Sequence, residues 1–335
     1  MTSAADGSAS VLVTGATGFI GRALLPHLAA RGWRVVAGVR QPRAPAIPGA
    51  AETRVVGDMA DPRFDPGPAL GGIGAVVHLA GLAHRPSDGD EALWRRVNTD
   101  ATARLAEAAG AAGVRRFIFI STARVLGRSV PAGRILDHKA PVHPADAYAR
   151  SKAAAEAALH QLHEAGAKGP DEIVPPEIVI LRPPLVYGPG VGANMARLVA
   201  AVDRGWPLPF ATLANRFSLI GLTNLCDAIT AALSAPGAAN RTMLVADKHP
   251  VSPPALIRAV ACALQRPCRL WPCPSGVLRL AAVVAGRSAA MAGLTGSFVL
   301  DTAAAQEHLA WTAERSLDEE LTDLAAWWRA GRPQA

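Results

Sequence analysis

Tyr148 and Lys152 stand four residues apart in an alanine-rich stretch, Ala145–Ala165. On a helix, that spacing puts both side chains on one face. A phenol with an ordinary pKa near ~10 is a poor acid–base group at neutral pH, but a neighbouring ammonium favours its phenolate and brings it toward the working range. Far upstream, Val11-Leu12-Val13-Thr14 runs into Gly15-Ala16-Thr17-Gly18-Phe19-Ile20-Gly21, with three glycines where a buried strand turns into a helix. The first glycine permits the tight turn, the second lets backbone approach a pyrophosphate, and the third lets helix pack closely on strand. The helix N-terminus offers unpaired N–H groups to the anion. Together these residues read as a dinucleotide site with a proton-transfer pair.

An alternating chain must hold them. Val11–Thr14, Val35–Val39, Arg54–Val56, Ala75–Leu79, Phe117–Ser121 and Ile178–Leu181 read as strands. Gly21–Arg31, Asp90–Ala112 and Ala145–Ala165 read as helices between them, with Pro26 absorbed in a first-turn or kinked position. This is the pattern of βαβ units, so the fold class is α/β, a Rossmann-type doubly wound parallel sheet. Past Arg182 the pattern loosens, leaving a strand at Met243–Ala246 and helices at Pro254–Leu264 and Leu317–Arg329. The expected division is a dinucleotide-binding domain over 1–182 and a smaller, mainly substrate-binding lobe over 183–335, some of whose elements return to the first.

Composition narrows the class. The net charge of +7 comes from 34 basic and 27 acidic residues with no basic run, which argues against nucleic acid and for a mild attraction to anionic substrates. Cys226, Cys262, Cys268 and Cys273 lack CxxC spacing, and no histidine joins the last three at zinc-ligand spacing, so no metal site is expected. The apolar run Val277–Val284 is interrupted by Arg279, so no membrane insertion is expected and the localisation reads as cytoplasmic.

The GxxGxxG spacing with Tyr148 and Lys152 resembles the short-chain dehydrogenase/reductase superfamily, and Ser121-Thr122-Ala123-Arg124-Val125-Leu126-Gly127 is similar to its hydroxyl-bearing segment. The resemblance makes Thr122 the third catalytic residue, holding the substrate oxygen. It places Gly15, Thr17, Gly18, Phe19, Ile20, Gly21, Asp58, Met59, Leu79, Ala80, Gly81, Asn98, Tyr148, Lys152 and Pro183 on the cofactor, with Asp58 near adenine and Asn98 bracing the sheet centre. The second strand ends Val39-Arg40 without an acidic residue. Arg40, with Arg43 nearby, suits a ribose 2′-phosphate, so NADP(H) is favoured while NAD(H) is also admitted.

Leu181-Arg182-Pro183-Pro184-Leu185-Val186-Tyr187-Gly188-Pro189-Gly190 sharpens the resemblance to the extended subgroup of nucleotide-sugar enzymes, the NAD-dependent epimerase/dehydratase family. Within it, the run from Arg182 to Asp227 looks most like bacterial 4-ketoreductases that make UDP-N-acetylquinovosamine for surface polysaccharides. That likeness implies a UDP-linked sugar substrate contacted by His84, Thr122, Ala123, Arg124, Asn194, Leu208, Phe210 and Arg216. The subgroup usually has arginine where this chain has Phe217, so either Arg216 is the substitute clamp or the ligand differs, and Leu185 replaces an epimerase asparagine. Ala123-Arg124 replaces the Asp-Glu pair of the dehydratases and disfavours dehydration.

Reduction of a 4-keto sugar leads, and UDP-sugar 4-epimerisation is the alternative. A reading of another class is a non-catalytic NADP-binding sensor or interaction protein, which the Tyr–Lys pair opposes. The superfamily admits a homodimer.

Overall fold

The computed structural model describes residues 10–42, 46–83, 90–166, 174–274, 276–278 and 295–331. Strand β1 (Ser10–Thr14) is buried along its whole length. Parallel partners lie on both sides of it: β2 (Arg34–Val39) then β3 (Glu52–Val55) on one, β4 (Ala75–His78), β5 (Arg116–Ile120) and β7 (Glu177–Arg182) on the other. The expected doubly wound sheet is present, with seven strands ordered β10-β7-β5-β4-β1-β2-β3. The last, β10 (Arg241–Leu244), pairs with β7, so chain beyond residue 182 returns to the main sheet. Outside it, β6 (Ile135–Leu136) pairs with β11 (Val299–Leu300), and β8 (Leu185–Tyr187) with β9 (Leu219–Gly221).

Near-continuous apolar strands follow from a sheet covered on both faces. Side chains still alternate: Val11 and Val13 join one core with Leu24 and Leu28 of α1 (Phe19–Ala29) and Ile229 of α6 (Leu222–Ser234). Leu12 faces the other core with Leu105 of α3 (Ala101–Ala111) and Leu159 of α4 (Ala147–Gly166). A third core joins α5 (Ala193–Asp203), α7 (Pro253–Leu264) and α9 (Leu317–Arg329); α8 (Ala303–Leu309) packs by the first.

Two local expectations gain detail. Pro26 lies inside α1 beyond the first turn, where Gly49 packs so closely that a Cβ would sit 2.3 Å from the Pro26 nitrogen. The expected helix over 90–112 is three pieces: α2 (Glu91–Arg95), a π-helical turn over Arg96–Asp100, and α3. The wide turn carries Asn98, which bonds the loop after β4 instead of simply continuing a helix face.

Candidate active site

The glycine turn is shaped by contacts only glycine allows. Gly15 has φ +70°, and a Cβ there would lie 2.8 Å from the Ala80 nitrogen; on Gly21 it would lie 2.3 Å from the Gly15 carbonyl oxygen. Gly18 N–H donates to the Gly15 carbonyl at 2.9 Å, and no side chain caps α1, which begins at Phe19. Thr17 lends its carbonyl to Arg22 Nε at 2.9 Å. A bare helix N-terminus behind a turn without side chains fits the diphosphate of a dinucleotide.

The neighbouring strand completes the cradle. Leu79 N–H donates to the Thr14 carbonyl at 3.2 Å, and Ala80 N–H lies 3.4 Å from Thr14 Oγ1. A Cβ on Gly81 would lie 2.8 Å from Asn98 Oδ1. His78, which opens the segment running into Leu79, Ala80 and Gly81, is wholly buried between Thr14 Oγ1 (2.6 Å) and Thr102 Oγ1 (3.0 Å). Burial, then the Lys152 charge, press its pKa down to about 3. At the other edge Arg40 is exposed just past β2. Val39 pairs with Val55, so the segment carrying Asp58 and Met59 leaves the sheet at the same end. Asp58 Oδ1 accepts from Ala60 N–H at 2.9 Å. Arg43 and His84 lie outside the described residues.

Thr122 ends the segment after β5, and Ala123 N–H donates to the Pro183 carbonyl at 2.8 Å, seating the start of this turn beside Pro183. Tyr148, near the start of α4, hydrogen-bonds Thr122 through its side chain. Burial raises the Tyr148 pKa, against opposing contributions from the Arg124 charge and the Thr122 hydrogen bond. The lysine ammonium is buried, 4.1 Å from the Phe119 ring centroid, and burial brings its pKa down to about 7. The guanidinium by the phenol belongs to Arg124, with Cζ 5.9 Å from the ring centroid. Trp94 of α2 meets the same ring edge-on at 5.9 Å.

The expected substrate residues divide. Phe210 and Leu208 are half-buried and pack on the third core, as does Phe19 from the glycine turn. Leu208 N–H also donates to the Arg269 carbonyl at 2.8 Å. The structure thus joins the turn to the 208–210 segment through shared apolar packing. Asn194, on the first turn of α5, is exposed and accepts from Arg197 Nη1 at 3.4 Å. Ala123 is fully buried, leaving Arg124 as the reaching side chain of that pair. Arg216 is exposed and donates from Nη2 to the Pro250 carbonyl at 2.7 Å, beside an open cavity of about 420 Å³ lined by Val251, Ser252 and Ala255. Phe217, its neighbour, is half-buried and bridges Val251 and Phe298 through its backbone.

Two features lie outside the sequence reading. Arg182 and Glu156 form a buried bidentate pair, with distances of 3.0 and 2.6 Å, that ties the end of β7 to α4. Asp146 caps α4, accepting from Ala149 N–H at 2.9 Å. An aspartate just before a helical run is a readable cap signal, whereas the Arg–Glu pairing is not local in sequence. Among the described residues no cluster suits a metal ion, and no helix is long and apolar enough to cross a membrane.

Comparison with known proteins agrees with this arrangement. A model of the NAD dependent epimerase/dehydratase family matches residues 11–246. A Vibrio cholerae protein named UDP-glucose 4-epimerase is 35% identical over 321 residues, covering 94% of each chain. The ceramide reductase of Caulobacter vibrioides is 33% identical over 219 residues, 65% of this chain and 58% of that one. The solved structure of MoeE5 in complex with UDP-glucuronic acid and NAD matches with a TM-score of 0.74 at 27% identity, over 96% of this chain and 99% of that one. The glycine turn, the seven-stranded parallel sheet and a match spanning most of the chain make this protein a member of the NAD dependent epimerase/dehydratase family, within the extended short-chain dehydrogenases/reductases.

Proposed function

We propose that the protein reduces the 4-keto group of a UDP-linked 4-keto-6-deoxy-hexosamine with NADPH, in the making of a surface polysaccharide. The observation carrying this reading is the edge of the cofactor cradle, where an exposed arginine, Arg40, and no carboxylate follows the last residue of β2, Val39. A guanidinium there suits a 2′-phosphate, and a cofactor consumed at each turnover suits a reductase.

When bound, the nicotinamide supplies hydride to the sugar C4. Thr122 Oγ1 holds the keto oxygen, and Tyr148 Oη donates the proton that turns it into an alcohol. Lys152 Nζ lies on the Gly81 side of the cleft, where a Cβ on Gly81 would be 4.0 Å away, and orients the cofactor ribose. Asn194 takes a diphosphate oxygen, while Phe210 and Leu208 border the base. The chain beyond residue 182 acts mainly as the substrate lobe. Its Arg216 lends a second positive charge by leaving the Pro250 carbonyl.

The second reading, 4-epimerisation of a UDP-sugar, is favoured by the name of the 35%-identical relative. Here Tyr148 first removes the hydroxyl proton and later returns it. Purified protein given UDP-glucose without added cofactor separates the two. No UDP-galactose, together with NADPH consumption on the 4-keto substrate, supports reduction; UDP-galactose formation without net NADPH use overturns it.

A further inference from the structure

Asp146 does two jobs at the start of the helix bearing Tyr148. Its Oδ1 caps the helix through Ala149 N–H, while Oδ2 pairs with Arg124 Nη2 and lies 3.5 Å from Arg128 Nη2. Asp146 is mostly buried, at 15% side-chain exposure, whereas Arg124 retains 48%. The anchored guanidinium stands over the Tyr148 ring, its Cζ 5.9 Å from the centroid. Trp94 on α2 presents a neutral edge, Glu91 is paired to Arg150, Thr122 is a neutral hydrogen-bond partner, and Lys152 is turned to Phe119.

We propose that Arg124, held in place by Asp146, is the positioning cation of the Tyr148 phenol, so that one carboxylate sets both the helix start and the charge beside the proton donor. The inference rests on the reading of Tyr148 as the proton-transfer group. A positive charge about 6 Å from the ring centre favours the phenolate, and the carboxylate paired with it disfavours the phenolate more weakly. Removing the guanidinium therefore makes the phenol harder to ionise outright, whereas removing the carboxylate does so in part, by freeing the guanidinium while taking away its own opposing charge.

The chain has two tyrosines. The other, Tyr187, is fully buried and donates to Asp247 Oδ2 at 2.8 Å; burial and that carboxylate drive its pKa far upward. Replacing both with 3,5-difluorotyrosine, whose phenol is more acidic, allows Tyr148 to be followed by fluorine NMR against pH. Tyr148→Phe assigns its resonance.

Arg124→Gln is expected to raise the midpoint by about half to one pH unit after screening of a half-exposed charge. Arg124→Lys should stay near the parent. Asp146→Asn keeps a good helix cap but frees the guanidinium, and is expected to raise the midpoint by less than Arg124→Gln does, because the carboxylate's own opposing charge goes with it. A midpoint unmoved by Arg124→Gln, or one lowered by Asp146→Asn, overturns the proposal. The readout uses no substrate: these shifts without turnover on a 4-keto sugar would overturn the functional reading alone, and turnover without the shifts would overturn this one.

Discussion

Asn98 Nδ2 donates to Ser151 Oγ at 3.0 Å, and through that bond the loop after β4 is tied to the helix carrying Tyr148 and Lys152. The same amide grips Leu82, accepting from its N–H at 2.8 Å and donating to its carbonyl at 3.1 Å. Ser151 Oγ donates to the Tyr148 carbonyl at 2.8 Å. One buried side chain in a π-helical turn thus sets the distance between the two walls of the cofactor cleft.

Asn98→Ala leaves Leu82 and Ser151 without these partners. Unpaired buried polar groups cost about 1–3 kcal/mol each. The variant should melt at a lower temperature and bind the dinucleotide more weakly. Calorimetry and a cofactor titration check this; unchanged affinity would mean that the amide does not set the cleft.

The strands and the glycine turn are legible because a doubly covered parallel sheet demands apolar β-branched runs, and because Gly15 and Gly21 occupy places where a Cβ would clash. The two- and three-residue strands β6, β8, β9 and β11 are too short to show a period. Helix α6 is legible in principle, since Thr223, Asp227, Thr230 and Ser234 make a less buried polar stripe at helical spacing opposite its apolar face. Tyr148 and Lys152 are legible as a pair, but their charges are not. Which cation meets the phenol depends on Arg124 and Asp146, which are distant in sequence and meet only in the fold. The same limit applies to Arg216, whose position beside Phe217 in sequence does not reveal that its guanidinium binds the Pro250 carbonyl.

Burial lowers the Lys152 pKa to about 7, with the nearby Glu156 opposing. The unfolded lysine titrates near ~10.4, so between about pH 7 and 10 the unfolded chain binds the extra proton and stability rises with pH; below that window the cost is complete. Lys152→Met should raise stability near pH 7 by about 2–4 kcal/mol, with a gain that shrinks toward pH 10, while turnover is lost. Melting curves across pH check it. A lower melting temperature near pH 7 would show that the ammonium is held by more than burial allows.

Arg40→Ser should weaken NADPH by about 10- to 100-fold, the value of a charged hydrogen bond to phosphate, and leave NADH affinity nearly unchanged. Parallel titrations with both cofactors test this. Equal losses for the two would remove the basis for NADPH preference.

Tyr148→Phe retains the ring against Trp94 and removes only the hydroxyl. Turnover should fall by about 10²–10⁴-fold with cofactor affinity kept. Steady-state kinetics beside fluorescence titration decide, and an unchanged rate would assign the proton to another group.

The central claim is tested most directly with NADPH deuterated at the transferable C4 position and UDP-4-keto-6-deoxy-N-acetylglucosamine. The account predicts one deuterium at the sugar C4 for each NADPH oxidised, with none in Tyr148→Phe over the same time. Unlabelled sugar, or interconversion of UDP-glucose and UDP-galactose with no NADPH consumed, would contradict it.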